Sequence, residues 1–123
     1  MDKPTILIID DSPMNLKVLA GMLKEEYRIL IAKSGEQAME IIEAGNSPDL
    51  ILLDVVMPGM DGYTLCLKIK GDDRTKSIPV IFISAKSGED EIRKGISLGA
   101  AAYIPKPFDV TTVKELVKTH LRQ

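Results

Sequence analysis

Polar side chains that can do chemistry follow four short apolar runs of this sequence. Asp10 and Asp11 follow TILII, Asp54 follows DLILL, Ser84 follows PVIFI, and Lys106 follows AAYI within a Pro-Lys-Pro segment. Carboxylates can bind a divalent cation or attack an electrophile, and a lysine ammonium can neutralise an anion. If the four runs are neighbouring strands, three acids, a hydroxyl and an amine meet at one place.

The apolar runs are typical of strands that are buried on both faces of a parallel sheet, because they are unbroken and rich in β-branched residues. A fifth run, YRILIA, has the same character. The predicted strands are residues 5–9, 27–32, 49–53, 79–83 and 101–104. Parallel strands present their carboxyl ends at one edge of the sheet, where ligands of open α/β sheets bind.

Helical patterns alternate with these strands, which calls for right-handed crossovers and helices on both faces of the sheet. Capping residues predict where several helices begin. Ser12 precedes a proline, Ser34 forms a capping-box pattern with Gln37, and Ser87 and Asp109 precede the fourth and last helices. The third helix is predicted to begin near Asp61.

The composition indicates one soluble globular domain. The chain has 123 residues, 45% of them hydrophobic and 28% charged, and a net charge of −2. This balance gives no basic field for nucleic acid, and no apolar run is long enough to span a bilayer. The single cysteine, Cys66, is expected to be a small buried hydrophobe, and the only histidine, His120, to be structural.

The acids at the first and third strand ends are predicted to bind Mg²⁺. Asp10 and Asp11, brought close to Asp54, repel one another unless a cation lies between them. Oxygen ligands without a histidine nearby in the sequence favour Mg²⁺ over zinc. Taken alone, one acid of the first pair could instead cap the first helix, and Asp54 could be an ordinary residue at the start of a loop.

Asp54 is the candidate nucleophile, because an aspartate carboxylate can form a covalent aspartyl-phosphate. Lys106, held between two prolines, is the candidate charge for a phosphate, and the hydroxyl of Ser84 is a candidate donor to a phosphoryl oxygen. The Lys106–Pro107 bond is a candidate for the cis form. Tyr103 is either a packed aromatic or a ring that changes rotamer when Ser84 moves.

With these residues identified, the chain resembles the receiver domain of two-component response regulators over roughly residues 5–121. The resemblance is carried by IIDDSP, LILLDVVMPGMDG, IPVIFISA and GAAAYIPKPF. It implies an α/β fold of flavodoxin-like type, which is a three-layer (α/β/α) sandwich. The five-stranded parallel sheet of that fold has the order 2-1-3-4-5.

The resemblance also implies a role for each residue of the motifs. Asp54 would be the phospho-acceptor. Asp11 and Asp54 would bind Mg²⁺ directly, with the backbone carbonyl of Val56 as the third protein ligand. Asp10 would act through a metal-bound water.

For the remaining motif residues, the resemblance implies contacts and a response. Ser84 and Lys106 would contact the phosphoryl group, and Tyr103 would report the state of the site. Ser84 stands where the family often has threonine, so the hydroxyl is kept and the methyl group is absent.

These implications predict a phosphorylation-activated signalling switch in the cytoplasm, and not a conventional turnover enzyme. A histidine kinase or phosphotransfer protein would supply the phosphoryl group. The output would pass to an output domain, or to a second copy of the chain, through the fourth helix, fifth strand and last helix. We expect no direct contact with nucleic acid or membrane.

Three alternatives stay open at this point. A haloacid-dehalogenase-like phosphohydrolase would need a second acid two residues after the nucleophile, where this chain has Val56. A flavin-binding electron carrier would place its phosphate against two acids. A receiver-like interaction module would never be phosphorylated.

Residues 1–123 are predicted to form a single receiver domain. The last helix ends in VKTHLRQ, without Gly, Asn or Pro to stop it. It either frays at a true terminus or continues into a linker, in which case the chain is the N-terminal part of a longer protein.

Overall fold

The computed structural model of the chain describes residues 3–121, in which five strands alternate with five helices. The strands are β1 (Thr5–Ile9), β2 (Arg28–Ala32), β3 (Leu50–Leu53), β4 (Val80–Ser84) and β5 (Ala102–Pro105). The helices are α1 (Pro13–Leu23), α2 (Gly35–Glu43), α3 (Gly62–Lys70), α4 (Glu89–Ser97) and α5 (Val110–His120).

The strands form one parallel sheet in the order β2-β1-β3-β4-β5, which confirms the predicted topology. The register aligns the carboxyl ends of the central strands. Ile9 of β1 lies opposite Leu53 of β3, and Ser84 of β4 lies opposite Pro105 of β5. Residues that follow these positions therefore leave the sheet at the same edge.

Two apolar cores cover the two faces of the sheet, because successive side chains of a strand point in opposite directions. In β4, Val80 and Phe82 belong to the first core, which also contains side chains of α2 and α3. Ile81 and Ile83 belong to the second core, with side chains of α1 and α5. Burial on both faces explains why the strands read as continuous apolar runs.

Side-chain caps fix the beginnings of most helices where the sequence predicts them. The oxygens of Ser12, Ser34, Asp61 and Asp109 each accept a hydrogen bond from a backbone N–H in the first turn of α1, α2, α3 and α5. Half of the predicted capping box is present, since the side chain of Gln37 accepts from Lys33 N–H instead of Ser34 N–H.

The predicted cap of the fourth helix is wrong. α4 begins after Gly88, whose extended backbone makes it the N-cap, and no side chain caps the helix. Ser87 lies one residue too early to reach the first free N–H groups. The last two strands are also displaced by one residue, so Ser84 is the final residue of β4 and not the first residue after it.

Other predictions concern single residues and segments. Cys66 is buried, as predicted. Within residues 3–121 there is no helix both long and apolar enough to cross a membrane. The predicted absence of a stop signal at the C-terminus involves residues 122–123, which lie outside the described residues.

Candidate functional site

The main chain brings the acids of the first and third strands side by side. Asp54 N–H donates to Ile9 O at 2.9 Å, and Asp10 N–H donates to Ala32 O at 3.1 Å, so the sheet pairing extends to the residues that follow β1 and β3. Asp10 is 2% exposed and Asp54 is 6% exposed. Two buried carboxylates therefore face each other at the edge predicted from the sequence.

Lys106 supplies the positive charge between these two acids. Its Nζ lies 3.0 Å from Asp10 Oδ2 and 3.0 Å from Asp54 Oδ2. Burial alone would lower the pKa of Lys106, but its hydrogen bonds and charge interactions with the two carboxylates raise it. The ammonium is therefore held in its charged form in front of Asp54.

Asp10 is fixed by two further donors. Its Oδ1 accepts from Ser12 N–H at 2.9 Å, and its Oδ2 accepts from the Asn15 side chain at 3.3 Å. Sequence reasoning missed Asn15, although its place three residues after the cap Ser12 would have indicated that it faces the strand end. Asp10 is thus held in one orientation by the start of α1.

Asp11 completes a cluster of three acids. It is exposed, and one oxygen each of Asp10, Asp11 and Asp54 lies within 4.8 Å of the others. An all-oxygen, strongly acidic donor set suits a hard divalent cation such as Mg²⁺, which binds one or two carboxylates and keeps several waters. The residues present therefore fit the predicted magnesium ion.

The segment after Asp54 orients its second oxygen and packs tightly beneath it. Val56 N–H donates to Asp54 Oδ1 at 3.3 Å, while the side chain of Val56 is 52% exposed. Gly62, at the start of α3, lies against the Asp54 backbone. A Cβ added at Gly62 would stand 2.1 Å from Asp54 O, so only glycine fits there.

Ser84 lies at the end of the neighbouring strand and is fully buried. Its Oγ accepts from Lys86 N–H at 3.2 Å, which leaves the hydroxyl proton free to donate. Its carbonyl accepts from Lys106 N–H at 2.9 Å. Ser84 and Lys106 are therefore tied to each other through the main chain of β4 and β5.

Tyr103 packs within an aromatic group between β4 and α4. Its ring is half-buried, lies 5.5 Å from the ring of Phe82, and its hydroxyl donates to Lys86 O. Its hydroxyl oxygen is also 3.3 Å from that of Tyr63, a residue that sequence reasoning did not single out. In the sequence, Tyr63 looks like one more apolar residue of α3. Only its hydroxyl group could have suggested that it makes a polar contact.

An open groove of about 600 Å³ adjoins the acids on the α1 side. Its walls are mainly apolar and include Val18, Pro107 and Phe108, with Lys106 at the end next to the acids. The Lys106–Pro107 bond is cis, in agreement with the candidate named from the sequence. Met14 of α1, outside the groove, is 75% exposed.

This arrangement can receive an anionic group and bond it covalently. Asp54 has a carboxylate held by two donors, Lys106 provides a fixed ammonium, and Ser84 has a free hydroxyl proton. Every buried side-chain nitrogen or oxygen among residues 3–121 has a hydrogen-bond partner. The side chains are thus ordered by their neighbours before any ligand binds.

Two curated relatives share much of the sequence. The "Probable cyclic di-GMP phosphodiesterase" of Vibrio cholerae is 45% identical over 118 residues, which cover 96% of this chain and 26% of that protein. The "Response regulator PleD" of Caulobacter vibrioides is 42% identical over 105 residues, which cover 85% of this chain and 23% of that protein. The chain spans about a quarter of the length of these relatives.

Solved structures resemble the chain over nearly its whole length. The signal receiver domain of a histidine kinase from Syntrophus aciditrophicus has a TM-score of 0.87 at 34% identity, covering 96% of this chain and 89% of that chain. The chemotaxis protein CheY4 of Vibrio cholerae has a TM-score of 0.90, covers 97% and 99% of the two chains, and is 22% identical, so that likeness concerns the fold alone.

The sequence model of the response regulator receiver domain family matches residues 6–118 of the chain. That range begins at the second residue of β1, and it includes β2 to β5 and all the predicted site residues. The sequence, the strand order and the acidic cluster at the carboxyl edge lead to one assignment: the chain belongs to the response regulator receiver domain family.

Proposed function

We propose that the chain is a phosphorylation-activated switch that accepts a phosphoryl group on Asp54. The observation that carries this proposal is the convergence of Asp10, Asp11 and Asp54 within 4.8 Å, with the ammonium of Lys106 on two of them. Lys106 balances only part of the negative charge of the three carboxylates, and a bound cation would balance the rest. A cation and a phosphoryl group together match this charge pattern.

Mg²⁺ would be held by Asp11 and Asp54, with the Val56 carbonyl as third ligand and Asp10 acting through a water. When bound, the ion neutralises negative charge on the reacting phosphoryl oxygens. The protein residues prepare this site, since Ser12 N–H and the Asn15 side chain hold Asp10 in place.

Asp54 would act as the nucleophile toward a phosphohistidine of the donor protein. A bond forms between an Asp54 oxygen and phosphorus, the phosphorus–nitrogen bond breaks, and its electron pair returns to the imidazole ring. Lys106 and the Ser84 hydroxyl then face the new phosphoryl oxygens. Positioning and charge supply most of the catalysis of such transfers.

The donor would be a histidine kinase or phosphotransfer protein that docks beside the acids. Val18, Pro107 and Phe108 offer an apolar wall next to Lys106, and Met14 of α1 is an exposed apolar side chain. This surface suits the apolar face of a helix that carries the phosphohistidine.

The response would begin at Ser84 and end on α4, β5 and α5. Ser84 moves toward the phosphoryl group, and Tyr103 takes up the space that it leaves. Ile96 of α4 and Val110 of α5 are 45% and 46% exposed, so this surface has apolar contacts to offer. An output domain or a second copy of the chain would read it.

We propose that residues 1–123 act as one receiver domain in the cytoplasm, with slow self-dephosphorylation and no conventional turnover. In the two curated relatives described above, the matching region makes up about a quarter of the protein. We propose that the receiver regulates an output activity, on the same chain or on a partner.

The test is phosphorylation by a small donor, acetyl phosphate, in the presence of Mg²⁺. We expect a phosphoryl adduct that alkali and hydroxylamine cleave, as they cleave an acyl phosphate, on the wild-type chain and none on Asp54→Asn, which keeps the size of the side chain and removes the nucleophile. The matched control is Asp72→Asn, which alters a partly exposed carboxylate in the loop after α3 and leaves the adduct intact.

The adduct at full level on Asp54→Asn would refute the assignment of the phospho-acceptor. Rapid multiple turnover of phosphate monoesters by the wild-type chain would instead favour a phosphohydrolase. No adduct on the wild-type chain with acetyl phosphate or with a phosphohistidine donor would favour an interaction module that is never phosphorylated.

A further inference from the structure

Tyr63 connects three elements of the protein through one hydroxyl group. Its side chain leaves the first turn of α3 and is 5% exposed. Its hydroxyl oxygen lies 3.3 Å from the hydroxyl of Tyr103 on β5, and 3.1 Å from Glu91 O and 3.3 Å from Glu91 Oε2 on α4. No apolar residue could make these contacts.

The ring of Tyr63 is held independently of the hydroxyl. It meets the ring of Phe82 edge-on, with the two ring centroids 5.4 Å apart. Lys94 of α4 places its Nζ 4.6 Å from the centroid of the Tyr63 ring. Both contacts use the aromatic ring, so phenylalanine would keep them. The hydroxyl can therefore be removed without removing the packing.

Tyr103 occupies a turned-in position, defined here by its ring contact with Phe82 and its bond to Lys86 O. α4 leaves room for that position only because residue 95 is glycine. A Cβ added at Gly95 would lie 2.8 Å from the Tyr103 ring and 3.0 Å from Phe82. Alanine at this position would force Tyr103 outward.

The proton count assigns the direction of the bond between the two tyrosines. Tyr103 has one hydroxyl proton, and it donates that proton to Lys86 O. The contact between the hydroxyls must then use the proton of Tyr63, with Tyr103 as acceptor. Tyr63 also has a single proton, so while Tyr103 is turned in, the Tyr103 oxygen shares that proton with Glu91 O and Glu91 Oε2.

The same contacts join Tyr63 to the phosphoryl site. Lys86 accepts from Tyr103 through its carbonyl and donates through its N–H to Ser84 Oγ at 3.2 Å. A continuous set of hydrogen bonds therefore runs from Ser84 through Lys86 and Tyr103 to Tyr63.

We propose that Tyr63 is a positioning residue that stabilises the turned-in position of Tyr103 and thereby couples the phosphoryl site to α3 and α4. This inference rests on the proposed function, because it assigns Tyr103 as the reporter of phosphorylation. With Tyr103 turned outward, the single proton of Tyr63 goes to Glu91 alone, so Tyr63 favours the turned-in position only by the difference between the shared and the unshared hydrogen bond. The hydroxyl–hydroxyl contact is made only in the turned-in position and decides the balance.

The test uses the tyrosine ring signals of the chain, labelled with ¹³C-tyrosine, in NMR spectra. The sequence has three tyrosines, so Tyr63→Phe and Tyr27→Phe each remove one signal and assign the third to Tyr103. Tyr27→Phe is also the matched control, because Tyr27 packs against the second core on the other face of the sheet. Gly95→Ala gives the reference signal for Tyr103 turned outward.

We expect Tyr63→Phe to move the Tyr103 signal from its wild-type position toward the Gly95→Ala position. The ratio of turned-out to turned-in molecules should rise about twofold to fivefold, the worth of a weak shared hydrogen bond. Addition of beryllofluoride with Mg²⁺, a phosphoryl analogue, should move the signal back along the same line. Tyr27→Phe should leave the Tyr103 signal in place.

A Tyr103 signal at the same position in Tyr63→Phe and in the wild-type chain would overturn the inference and leave the proposed function intact. A shift that does not lie between the wild-type and Gly95→Ala positions would also overturn it, since packing alone would then have changed. Failure of the wild-type chain to bind beryllofluoride would overturn the proposed function, and the inference with it.

Discussion

Two ion-paired regions of the molecule use the same chemistry for different ends. At the carboxyl edge of the sheet, Lys106 pairs with Asp10 and Asp54 at 3.0 Å, with side-chain exposures of 17%, 3% and 7%. In the loop after α3, Arg74 pairs with Asp72 at 2.7 Å, with exposures of 65% and 29%. The shorter pair is the weaker one, because water screens it.

The difference teaches that burial and imbalance of charge, and not short distance, distinguish the pair that we propose to be functional. The Arg74–Asp72 pair is neutral and joins residues two positions apart. The Lys106 pair joins residues 96 and 52 positions apart and leaves more negative charge than positive. That excess remains available for a cation and for a reaction with an anionic ligand.

The first prediction removes the cation on each side of the comparison. Lys106→Met should lower the free energy of unfolding by about 3 kcal/mol at pH 7 without Mg²⁺, since Asp10 and Asp54 then face each other without compensation. Arg74→Met should lower the urea midpoint only slightly, because water screens this pair. Equal midpoints for the two variants would remove the distinction between the regions.

The second prediction adds a cation. Mg²⁺ at 100 times its dissociation constant should raise the free energy of unfolding by about 2.7 kcal/mol, because only the folded chain gathers the three acids. Asp11→Asn should lose most of this response, while Asp72→Asn should respond as the wild-type chain does. Thermal denaturation with and without Mg²⁺ measures both, and an undiminished response in Asp11→Asn would place the ion elsewhere.

The third prediction sharpens the comparison at the backbone beneath Asp54. Gly62→Ala places a Cβ 2.1 Å from Asp54 O, and should cost about 2 kcal/mol of stability and slow phosphorylation. The control is Gly21→Ala in α1, where no atom lies within 4 Å of the added Cβ. That variant should gain up to about 1 kcal/mol from helix propensity. Similar effects of the two substitutions would show that the start of α3 can shift to make room for the added Cβ.

The last two predictions concern the pH dependence of stability, and the first of them is at acid pH. Hydrogen bonds and charge interaction with Arg74 lower the pKa of Asp72 from 3.8 to about 2. A lowered pKa in the folded chain contributes stability above the ordinary pKa and loses it as the pH falls through about 2. Asp72→Asn should therefore lose slightly less stability than the wild-type chain between pH 5 and pH 2, as measured by urea titration.

The raised pKa of Lys106 has the opposite pH dependence. Its contribution is fully present below the ordinary lysine value of 10.5 and is lost as the pH rises through the higher folded value. Lys106→Met should therefore lose less stability than the wild-type chain on the alkaline side. An identical alkaline profile in the two chains would contradict the charge assignment.

The fold could be predicted from the sequence because the apolar runs, the helical patterns and the helix caps all indicate the same arrangement of strands and helices. Continuous apolar runs such as TILII require a sheet buried on both faces, and parallel strands then place Asp10 and Asp54 at one edge whatever the loops do. The confirmed caps Ser12 and Asp61 are local features, readable within four residues. Ser87 was wrongly predicted as the cap because it is adjacent to Gly88. The sequence alone does not show which of these two residues adopts the extended backbone of an N-cap.

The side-chain contacts of the site are less predictable. The pairing of Lys106 with Asp10 depends on the path of the chain after β5, and no local pattern encodes it. Tyr63 was missed because its hydroxyl meets Tyr103, which lies 40 residues away. Contacts of this kind follow from packing on the sheet, and a residue type alone does not reveal them.

The sheet separates the two apolar cores, and this separation affects where partner proteins would bind. The groove beside Lys106 lies on the α1 side, over the second core, whereas Tyr63, Phe82 and Tyr103 lie over the first. Under the proposed function, a donor protein at the groove and a partner at α4 would thus approach opposite faces of the sheet, whereas α5 lies on the same face as the groove. A donor protein bound at the groove would then leave α4 accessible to a second partner.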